Sequence, residues 1–197
     1  MKAVYIHIPF CSSICTYCDF SKMYAMATWI DDYLDALDTE IKQNYRQETI
    51  KTLYFGGGTP SLLSIDQLQK LFKITGQLKL AKNCEITFEC NPEDLTLAKL
   101  EFLKDKVNRL SIGIQSFQAH LNKILGRQVP EISRIKLAKQ YFKNINIDLI
   151  YNLNEQTFTD LKNDIATFLS LDIPHISTYS LIVEPHTKLF IQGYHQN

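Results

Sequence analysis

No sign of charge predominates in this 197-residue sequence, where 21 Lys and Arg stand against 21 Asp and Glu. The chain therefore lacks the positive excess that binds polyphosphate surfaces, and nucleic acid is not an expected partner. There is no run of about 18 apolar residues, so no membrane-spanning helix is expected. Glycine and proline are scarce, at 7 and 6 residues, while 45% of the chain is apolar. That balance argues against disorder and for a chain able to bury a core. No internal sequence repeat, low-complexity tract or linker stands out. The N-terminus, Met1 to Phe10, has one lysine and a short apolar stretch broken by His7 and Pro9, without a small-residue cleavage site. It reads as a strand rather than a secretory signal, so a cytoplasmic location is expected.

What is present is a regular alternation. Short β-branched or aromatic runs at Ala3–Ile8, Thr52–Phe55, Glu85–Cys90, Arg109–Ile114, Ile145–Ile150 and His175–Leu181 alternate with amphipathic stretches. The latter lie near Thr28–Arg46, Ile65–Gly76, Thr96–Lys104, Gln118–Phe142 (broken at Pro130) and Thr157–Ser170. This order predicts βα units around a parallel sheet. Helix-start signals agree: Ser64 precedes Ile65 with Gln67 three residues on, and Asn91 to Asp94 places a turn and acids before the next helix. Six βα steps rather than eight predict a partial (β/α)6 TIM-like barrel, with function on the loops after the C-terminal strand ends.

Five cysteines, Cys11, Cys15, Cys18, Cys84 and Cys90, are an odd number with three crowded into eight residues. That suits a reducing compartment and metal chemistry better than a disulfide framework. Cys11, Cys15 and Cys18 form a C-x3-C-x2-C arrangement in the loop after the first strand. Three thiolates there suit a [4Fe–4S] cube, whose fourth iron would be left open for a ligand. The competing reading is a zinc site completed by His7 or Asp19. Cys84 and Cys90, six apart on one strand, are expected to be small core residues.

Gly56, Gly57, Gly58, Thr59 and Pro60 follow the second strand and use three of the seven glycines. Glycines let a backbone approach a ligand, though such a run is also what a tight turn needs. Polar residues mark three further strand ends, namely Glu89, Gln115 and Asp148. A polar group in an apolar strand needs a partner, which a ligand or a hydrogen bond inside the barrel could equally be. Arg127 could offer a cation to a carboxylate, or be a solvated helix-end residue.

The cysteine spacing, with Tyr17 just before Cys18, resembles the radical S-adenosylmethionine (SAM) superfamily. Beyond it, Tyr5 to Cys11, Cys15 to Phe20, Thr52 to Leu63, Glu85 to Pro92, Arg109 to Phe117, Ile147 to Tyr151, Ile176 to Tyr179 and Glu184 to Thr187 resemble the oxygen-independent coproporphyrinogen III oxidase family. Asp19-Phe20 resembles the HemW-type haem-chaperone branch, because true oxidases carry a further cysteine where Phe20 stands. The resemblance implies that Cys11, Cys15 and Cys18 hold a [4Fe–4S] cluster. In the superfamily its unique iron chelates SAM, and reductive cleavage yields a 5′-deoxyadenosyl radical. It further implies that Tyr5, Gly57, Glu89 and Arg127 line the primary SAM site, with Tyr17, Gly58, Thr59, Gln115 and Asp148 placed where oxidase relatives touch a second SAM. The implied partners are haem or porphyrin, a haem-acceptor protein and an electron donor such as flavodoxin. Coproporphyrinogen III dehydrogenation is the alternative function, and a non-catalytic truncated remnant is a third.

The sequence departs from the family pattern in places. Asn152 to Thr157 stands where the family has Gly-Leu-Pro-Gly-Gln-Thr, and non-glycine residues resist positive φ, so a different backbone is expected there. The stretch from Arg127 to Asp148 is about one helical turn short. Val129 replaces a histidine and Cys90 an alanine. Residues 1–197 are expected to form one radical SAM core domain, ending at 193–197 soon after the sixth strand, without the C-terminal region that supplies haem contacts in HemW-type relatives.

Overall fold

The computed structural model describes residues 2–194; 195–197, at the chain end noted above, lie outside them. In chain order the elements are β1 (Ala3–Ile8), β2 (Phe10–Cys11), β3 (Met23–Tyr24), α1 (Ala27–Asn44), β4 (Ile50–Gly57), α2 (Ile65–Thr75) and β5 (Leu80–Cys90). Then come α3 (Leu97–Leu103), β6 (Arg109–Gln115), α4 (Ala119–Ile124), α5 (Ile132–Tyr141), β7 (Ile145–Tyr151), α6 (Phe158–Ser170), β8 (His175–Ser180) and α7 (Lys188–Ile191). β1, β4, β5, β6, β7 and β8 form one all-parallel six-stranded sheet in that spatial order. β1 and β8 lie at its two edges and, among the described residues, do not pair with each other, so the barrel is partial, as six βα steps imply.

Period-2 alternation sorts each strand's side chains between two environments. Ile6 and Ile8 of β1, Leu110, Ile112 and Ile114 of β6, and Ile145, Ile147 and Leu149 of β7 are buried in the core. Phe55 and Phe88 pack there at 5.7 Å between ring centroids, with Phe72 of α2 at 5.3 Å from Phe55. Parallel sheets are usually apolar on both faces. Here the other face is polar: Asn146 Nδ2 donates to Ser111 Oγ at 2.8 Å and to Asp148 Oδ1 at 2.7 Å, and Ser177 Oγ donates to Asn146 Oδ1 at 3.0 Å. This polar layer lies beneath the C-terminal strand ends.

The helix starts follow local chemistry. Ser64 and Gln67 form a reciprocal capping box at α2, and Thr157 with Asp160 forms another at α6. At α3 the cap is Thr96, whose hydroxyl accepts from Lys99 N, while Asp94 accepts from Ser61 Oγ at 2.7 Å. The acids before α3 thus tie two loops rather than cap the helix. The long stretch around Pro130 splits into α4 and α5. Two short pieces had no periodic signal: α7, and the two-residue pairing of β2 with β3, which closes the base of the cysteine loop.

Of the two positions in this loop where the family has glycine, Asn152 nonetheless adopts φ +69 and Glu155 does not have positive φ; asparagine tolerates the left-handed region better than other non-glycine residues. The Asn152 N–H is held by Gln156 Oε1 at 2.8 Å. Replacing Asn152 with Val, whose branched side chain resists this conformation, is expected to lower unfolding free energy by ~1–2 kcal/mol, and Gly to be near neutral. Urea denaturation of both variants tests this, and an equally stable Asn152→Val protein would refute it.

Asp164 of α6, only 1% exposed, accepts from Ser116 Oγ (2.7 Å), Phe117 N (2.9 Å) and Gln118 Nε2 (2.9 Å). It thereby fixes the turn after β6. Asp164→Ala leaves buried donors unpaired and is expected to cost ~1–3 kcal/mol, measurable as a lower urea midpoint.

Candidate functional site

A cavity of about 550 Å³ opens at the C-terminal strand ends. The cysteine loop forms one wall. Its base is pinned by Met23 N to Pro9 O at 2.8 Å and Ala25 N to Cys11 O at 2.9 Å. Its middle is latched by Thr16, whose N–H donates to Leu125 O at 3.0 Å and whose hydroxyl donates to Ile124 O at 2.7 Å, at the end of α4. Thr16 is buried and was not singled out in the sequence, since a lone threonine in a loop carries no pattern.

Cys11, Cys15 and Cys18 all line the cavity as free thiols, the first buried and the others half-buried. Burial pushes the Cys11 and Cys18 thiols up, and neighbouring cysteine charges add to this. Each sulfur faces one donor: Thr59 Oγ1 to Cys11 at 3.6 Å, Arg127 Nη1 to Cys15 at 3.5 Å, and the Phe20 backbone N–H to Cys18. The zinc alternative fits poorly. His7 is engaged at both ring nitrogens, with Ser21 O at 2.8 Å and Tyr5 OH at 3.2 Å. Among the described residues no three His, Cys, Asp or Glu side chains gather as one ion requires. A cluster, whose irons sit at separate corners, needs no such convergence of three soft donors.

The glycine loop forms the adjacent wall, and the protein itself occupies the space its side chains would need. Gly57 has φ +116, and a Cβ there would meet the His7 ring at 2.6 Å. At Gly58 a Cβ would meet Phe10 O at 2.7 Å, because its N–H is hydrogen-bonded to Ile8 O at 2.8 Å. The loop therefore packs directly on the backbone leading into the cysteines. Gly57 N also donates to Glu89 Oε2 at 3.0 Å, and Tyr54 OH donates to Glu89 Oε1 at 2.7 Å. Burial raises the Glu89 pKa, and these two donors partly offset it.

Tyr17, Gly57, Gly58, Thr59, Glu89, Gln115, Arg127 and Asp148 all line the cavity. Gln115 is 8% exposed at φ +66 and lines the cavity. A largely buried amide on a cavity wall suits a polar ligand. Asp148 is partly engaged, accepting from Ser111 Oγ at 3.2 Å and from Asn146. Arg127 is not a solvated helix-end residue. Its Nη2 donates to Asn91 Oδ1 at 2.7 Å and Gly113 O at 2.6 Å, so an end-on fork for a carboxylate would require giving up one of these bonds.

Tyr5 does not line the cavity. It is 55% exposed and reaches the site through His7, to which its hydroxyl is hydrogen-bonded, and through Tyr54, on which it stacks at 5.7 Å. Its place in β1 sets this, one inward-facing position below His7. Cys90, Asn91, Glu93 and the stretch Tyr179 to Ile182 with Glu184 also line it. Sequence reasoning did not name these as site residues, although Cys90, Asn91, Tyr179 and Glu184 fell within the family resemblance. Cys84 and Cys90 are both buried in the core.

Residues 5–165 match the Radical SAM superfamily. The chain is 46% identical over 94% of its length to the heme chaperone HemW of Lactococcus lactis, and 43% identical over 96% to that of Bacillus subtilis. It covers 50% and 53% of those proteins, so it spans about half the length of these curated relatives. The solved coproporphyrinogen III oxidase HemN of Escherichia coli, a radical SAM enzyme, superposes with a TM-score of 0.87 at 28% identity, over 100% of this chain and 47% of that one. Three cysteines facing one cavity at the strand ends, a parallel partial barrel and the match over residues 5–165 agree: the chain belongs to the radical SAM superfamily, whose members use a [4Fe–4S] cluster and SAM.

Proposed function

We propose that Cys11, Cys15 and Cys18 hold a [4Fe–4S] cluster beside bound SAM, and that the protein handles haem in the manner its HemW relatives' name describes. The observation that carries the first part is the presence of all three C-x3-C-x2-C thiols on one cavity wall. The similarity to proteins named heme chaperones supports the second. Residues 1–197 are taken as one radical SAM core domain. Five free thiols support a reducing, cytoplasmic setting, and no described helix is long and apolar enough to cross a membrane.

When bound, cluster and SAM supply one-electron chemistry; the protein supplies position and electrostatics. Glu89, held by Tyr54 and Gly57, presents a fixed carboxylate oriented for an amino group. Gln115 offers an amide on the cavity wall, and Asp148 a carboxylate on the polar floor. Arg127 contributes a fixed positive charge on the wall, with Tyr17, Gly58 and Thr59 shaping the space beside it. Tyr5 acts through the His7 ring that supports Gly57. Haem or porphyrin, an acceptor protein and an electron donor of flavodoxin type are the partners this reading entails.

A second reading, coproporphyrinogen III dehydrogenation, is favoured by the superposition on HemN. Phe20, where the oxidases carry a further cysteine, stands against it. It is 71% exposed at the cavity.

Anaerobically reconstituted protein is expected to bind about four iron atoms per chain, with a reduced spectrum that changes on adding SAM. Cys15→Ala should abolish the cluster and leave the fold intact by circular dichroism; normal iron content in that variant would sink the ligand assignment. Haem titration is expected to saturate. Absence of saturable binding points to a non-functional remnant, and conversion of coproporphyrinogen III by the reduced protein with SAM points to the dehydrogenase.

A further inference from the structure

The three cavity thiols are not equivalent in what faces them. Cys18 faces a backbone amide with the Lys22 ammonium nearby, Cys11 a neutral hydroxyl, and Cys15 a guanidinium in direct hydrogen-bond contact. The latter two donors are held in place by bonds of their own. Thr59 is 7% exposed, and its N–H is tied to Phe10 O at 2.8 Å, so its hydroxyl sits beside Cys11 without solvent competition. Arg127 has both Nη2 protons committed, to Asn91 Oδ1 and Gly113 O, which orients Nη1 at the Cys15 sulfur. Its N–H donates to Asn122 O at 2.8 Å, and Asn91 N is itself fixed by Ser61 Oγ at 3.0 Å. The guanidinium plane is therefore set by groups on β6 and the end of β5 before any ligand arrives.

A hydrogen bond to a thiolate sulfur withdraws electron density from it. When a cluster takes up one electron, negative charge spreads onto its sulfurs, and donors and fixed cations stabilise the reduced form more than the oxidised one. Charge-assisted hydrogen bonds are roughly twice as strong as neutral ones. Resting on the cluster assignment proposed above, we infer that Arg127 and Thr59 are positioning residues that raise the cluster's reduction potential through the Cys15 and Cys11 sulfurs, Arg127 having the larger effect. The step they bias is the transfer of one electron from an external reductant to the cluster. No bond to sulfur is made or broken, and the guanidinium keeps its protons.

The test uses the full chain, reconstituted without oxygen, with iron and sulfide counted and the midpoint potential measured by dithionite titration without SAM. At wild-type iron content, Thr59→Val and Arg127→Gln are expected to shift the potential downward, Arg127→Gln further. Thr59→Ser, which keeps the hydroxyl, should retain the wild-type value, and Arg127→Lys should fall between wild type and Arg127→Gln. Unchanged potentials in both Thr59→Val and Arg127→Gln would overturn the inference while leaving the cluster reading intact, as would a Thr59→Ser shift equal to that of Thr59→Val. If Arg127→Gln fails to load iron, the Thr59 pair decides. A wild-type protein that takes up no iron removes the cluster reading, and this inference with it.

Discussion

The cysteine loop is closed at its base by the pairing of β2 with β3, and beyond that its position comes from backbone hydrogen bonds to distant parts of the rim. Gly58 and Thr59 donate to Ile8 and Phe10 on one side, and Thr16 donates to Leu125 on the other. Both attachments need very close approach. A side chain at Gly58 would collide with the backbone at residues 8–10, and one at Gly126 would press on Thr16 at 3.0 Å. Because Thr59 and Arg127 directly follow these two glycines, the same contacts that fix the loop bring a hydroxyl and a guanidinium to its sulfurs.

Beneath this rim the inward strand positions carry Ser111, Asn146, Asp148, Ser177 and His175, linked through Asn146. A buried polar network of this kind is costly unless satisfied. Its donors and acceptors largely meet one another, so Asp148 is partly satisfied as an acceptor. Gln115, one strand away, lines the cavity above this floor.

The cavity also has a side that the cofactor reading does not use. Tyr179, Ile182 and Phe20 are exposed and border it, and Ile150, Leu153, Leu181 and Leu189 pack nearby in a small second core with Leu121 and Leu125.

Strand and helix order was legible because periods of two and 3.6 are set by local geometry, and the residues at the strand ends followed from the fold's habit of placing function there. Local chemistry also exposed the capping box at Ser64. Other features arise between segments far apart in the chain and leave no local trace. These include the β2–β3 clasp, the Thr16 latch, Asp164 under the turn after β6, and the commitment of Arg127 Nη2 to Asn91 and Gly113. Tyr5 matched a motif yet lies outside the cavity, and Asn152 was expected to resist a conformation that its side chain tolerates. The sequence by itself determined which residues bear the chemistry, since thiols, glycines and isolated polar groups are recognisable one by one. Only the tertiary structure decided which donors face which sulfurs and which polar groups stay unpaired, because hydrogen-bond partnership depends on ångström-scale distances between strands separated by tens of residues.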